Sequence, residues 1–270
     1  MKVIYEPKGK AREYSPLAVN LYTGCEHGCD YCYVFSSLAM SRANPDVIKP
    51  RDGILEKLEK DCISKQDKSK PVLLCFTCDP YQPCSELYGT TRAALQILRR
   101  NNIPFRVLTK GGLRATKDFD LYSDKDEYGV TLTLMDEALS RKHEPKAATP
   151  KDRIESLKIA HDKGIATWVS IEPVLDPKQS EMLIENTLDF VDIYKVGKLN
   201  HYNIKVDWNS FGASVIRTLV KHGKRYYIKE DLRRHIKDRY NFDTTAGYVC
   251  KTNLTKPNIW NQNGTIRQTN

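Results

Sequence analysis

Leu17-Ala18-Val19-Asn20-Leu21-Tyr22-Thr23-Gly24-Cys25-Glu26-His27-Gly28-Cys29-Asp30-Tyr31-Cys32-Tyr33 decides how this chain is read. Its first half, Leu17–Gly24, is a short apolar run of the kind that forms a buried strand. Its second half delivers three thiols within eight residues onto the loop that this strand feeds. Gly24 and Gly28 let the backbone wrap closely around whatever those thiols bind.

Working outward, runs of the same character recur at Val72–Asp79, Phe105–Lys110, Tyr128–Met135, Ala166–Val174 and Asp192–Leu199. Between them, Gly53–Ser64, Leu87–Asn101, Leu113–Tyr122, Pro150–Lys163, Pro177–Leu188 and Trp208–His222 carry apolar residues near a 3.6 period and are predicted helices. Thr149-Pro150 reads as an N-cap followed by proline at the first helical position, and His161-Asp162-Lys163-Gly164 as a basic last turn with a glycine stop. Alternating strands and helices with right-handed crossovers give a parallel sheet, so the expected class is α/β, a partial (β/α)6 TIM-like barrel with a lateral opening. The expected division is an N-terminal extension over residues 1–16, a core over 17–222, and a short C-terminal extension over 223–270 that includes Tyr226-Tyr227-Ile228-Lys229. In such folds chemistry gathers at the C-terminal ends of the strands.

With 270 residues, 40% of them hydrophobic, the chain can bury one large core, and its 29% charged residues and dispersed aromatics argue against disorder. No apolar run approaches the roughly 20 residues of a membrane span, and Met1–Tyr14 lacks a signal-peptide core, so a cytoplasmic protein with no membrane partner is expected. Eight cysteines, three of them packed into Cys25–Cys32, do not resemble a secreted disulfide framework. A formal charge of +9 makes a polyanion, nucleic acid or nucleotide, a candidate substrate, although the Lys and Arg residues are dispersed and a merely solvated basic surface accounts for them equally.

Three thiolates are one short of the set that normally holds a [4Fe-4S] cluster, leaving one iron free for a cofactor or substrate. A structural zinc needs four ligands. The next pair, Cys75 and Cys78, is too distant in sequence for a common zinc module, and in a strand reaching Asp79 its members would point to opposite faces. A thioredoxin-like motif is weakened by the extra cysteine and by the lack of a helix start after it.

Cys25-x3-Cys29-x2-Cys32 after the first strand of a βα array resembles the signature of the radical S-adenosylmethionine (SAM) superfamily. Gly24–Cys29 together with Asp79-Pro80-Tyr81-Gln82-Pro83 is similar to the spore photoproduct lyase-like branch of that superfamily. The resemblance implies a [4Fe-4S] cluster on Cys25, Cys29 and Cys32, SAM as second cofactor, reductive cleavage of SAM to a 5′-deoxyadenosyl radical, and a flavodoxin- or ferredoxin-type electron donor. It implies SAM contacts at Tyr31, the aromatic of the motif, and at Tyr33. Thr77 and Asp79 stand where relatives meet the SAM ammonium, Lys110 and Arg153 where they meet its carboxylate, and Cys78 near a hydrogen-donor thiol. Plain readings stand beside these: loop packing for Tyr31, a turn or cap for Asp79, solvated positions for Lys110 and Arg153, and core packing for Cys78.

Thr131 and Thr133 fall on one strand face, where a hydroxyl suits ribose, and Ser170 and Glu172 on another, where Glu172 suits ribose or substrate. Lys195 and Lys198 are unusual in a sheet interior; Lys198 suits an anionic substrate, or both lysines protect an edge strand. The leading expectation is a radical SAM enzyme on a nucleotide-containing substrate, with photoproduct repair as a narrower lyase reading. The alternative is a non-catalytic zinc-binding, nucleic-acid-binding protein.

Overall fold

A computed structural model describes residues 2–34, 48–200 and 205–237. After a 3-10 turn at Gly9–Glu13, the chain forms β1 (Leu17–Val19), β2 (Tyr22–Thr23), β3 (Lys49–Pro50), α1 (Ile54–Ser64), β4 (Val72–Leu74), α2 (Ser85–Tyr88), α3 (Thr90–Arg100) and β5 (Phe105–Thr109). A second 3-10 stretch, Gly112–Leu121, leads to β6 (Glu127–Thr131), α4 (Glu137–His143), α5 (Pro150–Asp162), β7 (Ala166–Ile171), α6 (Pro177–Glu185), β8 (Ile193–Val196), α7 (Trp208–Lys221), β9 (Arg225–Ile228) and α8 (Glu230–Arg233).

Strands β1, β4, β5, β6, β7, β8 and β9 make one seven-stranded sheet in that spatial order, and every neighbouring pair is parallel. Strands following one another in sequence, each reached through a helical crossover, are the arrangement of a partial barrel open between β1 and β9. The α/β class and the parallel sheet are as expected from the sequence. A seventh strand is added, because Arg225–Ile228 pairs with β8 instead of forming a covering appendage. Its signal was short: Tyr226 and Ile228 are buried on one face while Tyr227 turns to the other. Residues 238–270 of the expected C-terminal extension lie outside the described residues.

Several strands stop sooner than the apolar runs suggest. The run at Val72–Asp79 leaves the sheet after Leu74 because Cys75 takes a left-handed φ of 66°, turning the chain into a loop at the C-terminal edge. An L-residue adopts that conformation at a cost of about 1–2 kcal/mol, so the surrounding bonds hold it there; Cys75 N–H donates to Val19 O at 2.8 Å. The fourth predicted helix is found with its caps: Thr149 Oγ1 accepts from Asp152 N–H at 3.1 Å, with Pro150 in the first turn.

Alternation along the strands sends Leu17, Val19, Val72, Leu74, Val169, Ile171, Tyr194 and Val196 to the helix-covered face. It sends Ala18, Leu73, Trp168 and Ile193 to the concave face. Trp168 fills that interior. A Cβ on Gly129 would lie 2.1 Å from Trp168 Cε2, so only glycine lets the indole cross β6. Lys195 lies in the same interior, with Nζ 4.7 Å from the Trp168 ring centroid and 2.9 Å from Tyr14 O. It is buried in a strand flanked on both sides, so the edge-protection reading does not hold for it.

The N-terminal segment spans the gap between the sheet edges. Tyr5 exchanges two 2.9 Å backbone bonds with Ala18 on β1. Further along, the Glu13 carboxylate accepts from Tyr227 OH at 3.0 Å and Glu230 N at 2.8 Å at the β9 end. Among the described residues no helix is long and apolar enough to cross a membrane.

Candidate active site

The cysteine loop leaves β2 at the C-terminal edge of the sheet. Gly24 (φ 75°) and Gly28 (φ 67°) turn it through left-handed conformations, and Cys32 N–H bonds Cys29 O at 3.3 Å. Cys29 is buried, while Cys25 and Cys32 are half-buried. Burial pushes the Cys29 thiol up to about 11, against the opposing pull of Lys110. Burial, then the Asp79 carboxylate, hold Cys25 well above its ordinary value. In the metal-free chain both are therefore thiols at neutral pH, and ligation would release their protons.

Residues 143–146 press against this loop. Asp30 N–H donates to His143 O at 3.0 Å, His143 Nδ1 lies 2.8 Å from Asp30 Oδ2, and Lys146 N–H donates to His27 O at 3.1 Å. Tyr31 donates its hydroxyl to Glu144 Oε1. Thr133 Oγ1 donates to that same oxygen at 3.1 Å, and Arg153 Nη2 reaches Glu144 Oε2 at 2.5 Å. Lys110 Nζ stands 5.6 Å from the Tyr31 ring centroid. Burial alone would raise the Glu144 carboxyl, but Arg153 and Lys110 hold it down at about 2.

This arrangement corrects three sequence expectations. Arg153 is 1% exposed, not a solvated helix position, and its guanidinium is engaged by Ala148 O at 2.8 Å, Thr131 O at 3.1 Å and Glu144 rather than turned to a ligand carboxylate. Thr131 and Thr133 do not share one strand face, since β6 ends at Thr131 and the Thr133 hydroxyl is spent on Glu144. Lys110 is not an exposed lysine; beside Cys29 and Glu144 its pKa is raised in spite of burial, which opposes the charge.

On the loop after β4, Asp79 is occupied on both oxygens. Oδ1 accepts from Thr109 Oγ1 at 2.5 Å and Tyr81 N at 2.8 Å, and Oδ2 from Lys110 N at 2.7 Å. These bonds fasten this loop to the end of β5. Thr77 keeps its backbone N–H on Asn20 Oδ1 at 3.0 Å, and its buried Oγ1 has no hydrogen-bond partner among the described residues. Cys78 is buried, and its thiol is near enough to Cys75 that, after burial, it raises the Cys75 thiol further. The expectation that these two thiols point apart is overturned by the left-handed turn at Cys75. Tyr33 is 46% exposed, with its hydroxyl on Phe76 O at 3.0 Å.

Ser170 and Glu172 do come together, around a partner that the sequence did not reveal. Tyr14 OH donates to Glu172 Oε2 at 2.6 Å and lies 3.0 Å from Ser170 Oγ, and the Lys229 ammonium meets the same Glu172 oxygen. Lys198 stands apart, with Nζ 5.6 Å from the Trp208 ring centroid.

The residues fit an iron–sulfur cluster with a second cofactor beside it. Three thiols line one turn at the catalytic edge, the Lys110 cation lies near Cys29, and two buried polar atoms, Thr77 Oγ1 and His27 Nε2, have no hydrogen-bond partner among the described residues. Among the described residues no three His, Cys, Asp or Glu side chains form a closed single-ion site. Sequence reasoning missed Glu144, Tyr14, His27 and Lys229. Glu144 had an indirect signal, since Asp136 is an N-cap residue and Arg141-Lys142-His143 a basic last turn, together marking the α4 helix that ends beside it.

The radical SAM superfamily profile matches residues 19–191. ORF301, an uncharacterized protein of Acidianus two-tailed virus, is 29% identical over 188 residues, 64% of this chain and 61% of its own length. MJ0683, an uncharacterized protein of Methanocaldococcus jannaschii, is 26% identical over 197 residues, 67% of this chain and 70% of that one. The chain thus spans about three fifths of the viral relative. Among solved structures, spore photoproduct lyase complexed with dinucleoside spore photoproduct superposes with a TM-score of 0.64 at 12% identity, covering 84% of this chain and 78% of that one. Streptococcus suis SuiB bound to precursor peptide SuiA superposes with a TM-score of 0.62 at 14% identity, covering 84% and 52%. These two show a shared fold.

Proposed function

Because the chain belongs to the radical SAM superfamily, whose members use a [4Fe-4S] cluster and SAM, we propose that Cys25, Cys29 and Cys32 ligate the cluster and that the chain cleaves SAM reductively. The observation that carries this reading is the Cys25-x3-Cys29-x2-Cys32 turn at the C-terminal edge of the parallel sheet. When bound, the cluster and SAM together supply one-electron cleavage of the sulfonium to methionine and a 5′-deoxyadenosyl radical that takes hydrogen from substrate.

The chain's own residues hold and orient these groups. Tyr31, fixed by Glu144, sets the edge of the cofactor pocket, and Lys110 supplies a cation beside Cys29. Thr77 Oγ1 supplies a free hydroxyl for SAM, and Tyr33 lines the mouth. Asp79 acts at one remove by fixing Lys110, and Arg153 by fixing Glu144. Glu172 and Ser170 form the floor with Tyr14 and Lys229. Cys78, near Cys25 on the loop after β4, is the thiol assigned to return a hydrogen atom.

The +9 charge and the shared fold with spore photoproduct lyase support a nucleic-acid or nucleotide substrate. Lys198, at the end of the last strand of the expected core, suits its phosphate. A flavodoxin- or ferredoxin-type protein in the cytoplasm supplies the electron. Anaerobically reconstituted protein with dithionite is expected to form 5′-deoxyadenosine, and a yield no higher than that of Cys29→Ala would overturn the reading. Conversion of dinucleotide spore photoproduct to thymine dinucleotide tests the lyase assignment separately.

A further inference from the structure

The four residues His143-Glu144-Pro145-Lys146 each touch the cysteine loop. His143 holds Asp30 twice, through its carbonyl at 3.0 Å and its ring at 2.8 Å, and Lys146 N–H holds His27 O at 3.1 Å. A Cβ at Gly28 would stand 3.4 Å from Pro145 Cγ, so Gly28 packs against the proline ring. Glu144 takes the Tyr31 hydroxyl.

Glu144 is itself tightly fixed. Its side chain is 0% exposed, and its carboxylate faces donors only: Tyr31 and Thr133 on one oxygen, Arg153 and Ser140 on the other. Arg153, 1% exposed, is held in turn by the carbonyls of Ala148 and Thr131. A hydrogen-bonded path therefore runs from β6 and α5 through Glu144 to the aromatic residue next to Cys32. A carboxylate is required, because an amide in its place turns a donor toward a donor.

We propose that residues 143–146 are a clamp that pre-organises the cysteine loop, with Glu144 as the positioning residue that fixes Tyr31. The clamp assignment rests on the loop's being the cluster site, but the loop's order can be measured without any cluster. In metal-free, full-length protein, Glu144→Gln and Tyr31→Phe should each speed hydrogen exchange in residues 27–32 by about tenfold, the effect of losing one hydrogen bond to a charged group. Exchange in β7 and α6 should stay unchanged. After reconstitution, the same variants should alter the shift that SAM induces in the electron paramagnetic resonance spectrum of the reduced cluster.

If Glu144→Gln does not fold, Tyr31→Phe and Thr133→Val, which each remove one bond to Glu144 Oε1, carry the same measurement. Loop exchange equal to that of the parent in the variants, or an increase spread evenly over the sheet, would overturn the clamp and leave Glu144 as ordinary packing. Failure to bind iron with the loop exchange altered as expected would instead count against the cofactor reading alone.

Discussion

Tyr14 donates its hydroxyl to Glu172 at 2.6 Å, joining the N-terminal segment to the C-terminal end of β7. Lys229, from the far edge of the sheet, shares that carboxylate and places Nζ 4.4 Å from the Tyr14 ring centroid. Three segments that are distant in sequence thus meet on one partly buried carboxylate oxygen, and residues 5–14 span the lateral opening of the partial barrel. Burial, and then Glu172, keep the Tyr14 hydroxyl protonated far above its ordinary range.

Lys229→Met leaves the Glu172 carboxylate largely buried with Tyr14 alone. Removing one partner of a buried pair costs about 3 kcal/mol, which urea unfolding of the metal-free protein will register as a lower midpoint. Adding Glu172→Gln should recover part of that loss, because the orphaned charge is then gone.

Gly129→Ala tests the packing of the concave face. The added methyl would need the space of Trp168, 2.1 Å away, and Trp168 is held beneath Tyr14 and Lys195. Overpacking costs typically 1–3 kcal/mol, while the stiffer unfolded chain returns less than 1 kcal/mol, so a net loss of about 2 kcal/mol is expected in thermal or urea melts.

Glu144 predicts a pH dependence. Its pKa falls from an ordinary 4.5 to about 2 in the folded chain, because Arg153 and Lys110 outweigh burial. A folded-state pKa below the unfolded one stabilises the protein above the unfolded value, and that contribution fades as pH drops through the folded value. About 3 kcal/mol should therefore be lost between pH 4.5 and 2. Stability measured against pH should show that loss, and Glu144→Gln should lack it.

The legible parts of this chain were those whose physics is local. Cys25-x3-Cys29-x2-Cys32 needs only a loop, and Thr149-Pro150 announces its helix through one side chain and one fixed φ. The pairing of Ser170 with Glu172 followed from strand alternation. What could not be read depends on distant segments. Glu144 acquires its role from Arg153, Thr133 and Tyr31, and Lys195 and Tyr14 only when the N-terminal segment folds across the sheet. Cys75 reads as strand in an apolar run, and the left-handed turn that brings it to Cys78 has no marker such as glycine. Arg225–Ile228 is short enough to pass for an appendage until β8 offers it an edge.

The most direct test is the iron and acid-labile sulfide content of protein purified and reconstituted without oxygen, alongside its Cys29→Ala variant. Roughly four of each per chain are expected, with a brown chromophore and an electron paramagnetic resonance signal, after reduction, that SAM perturbs. Parent protein that takes up no more iron than the variant, or that holds about one zinc instead, would contradict the cluster assignment.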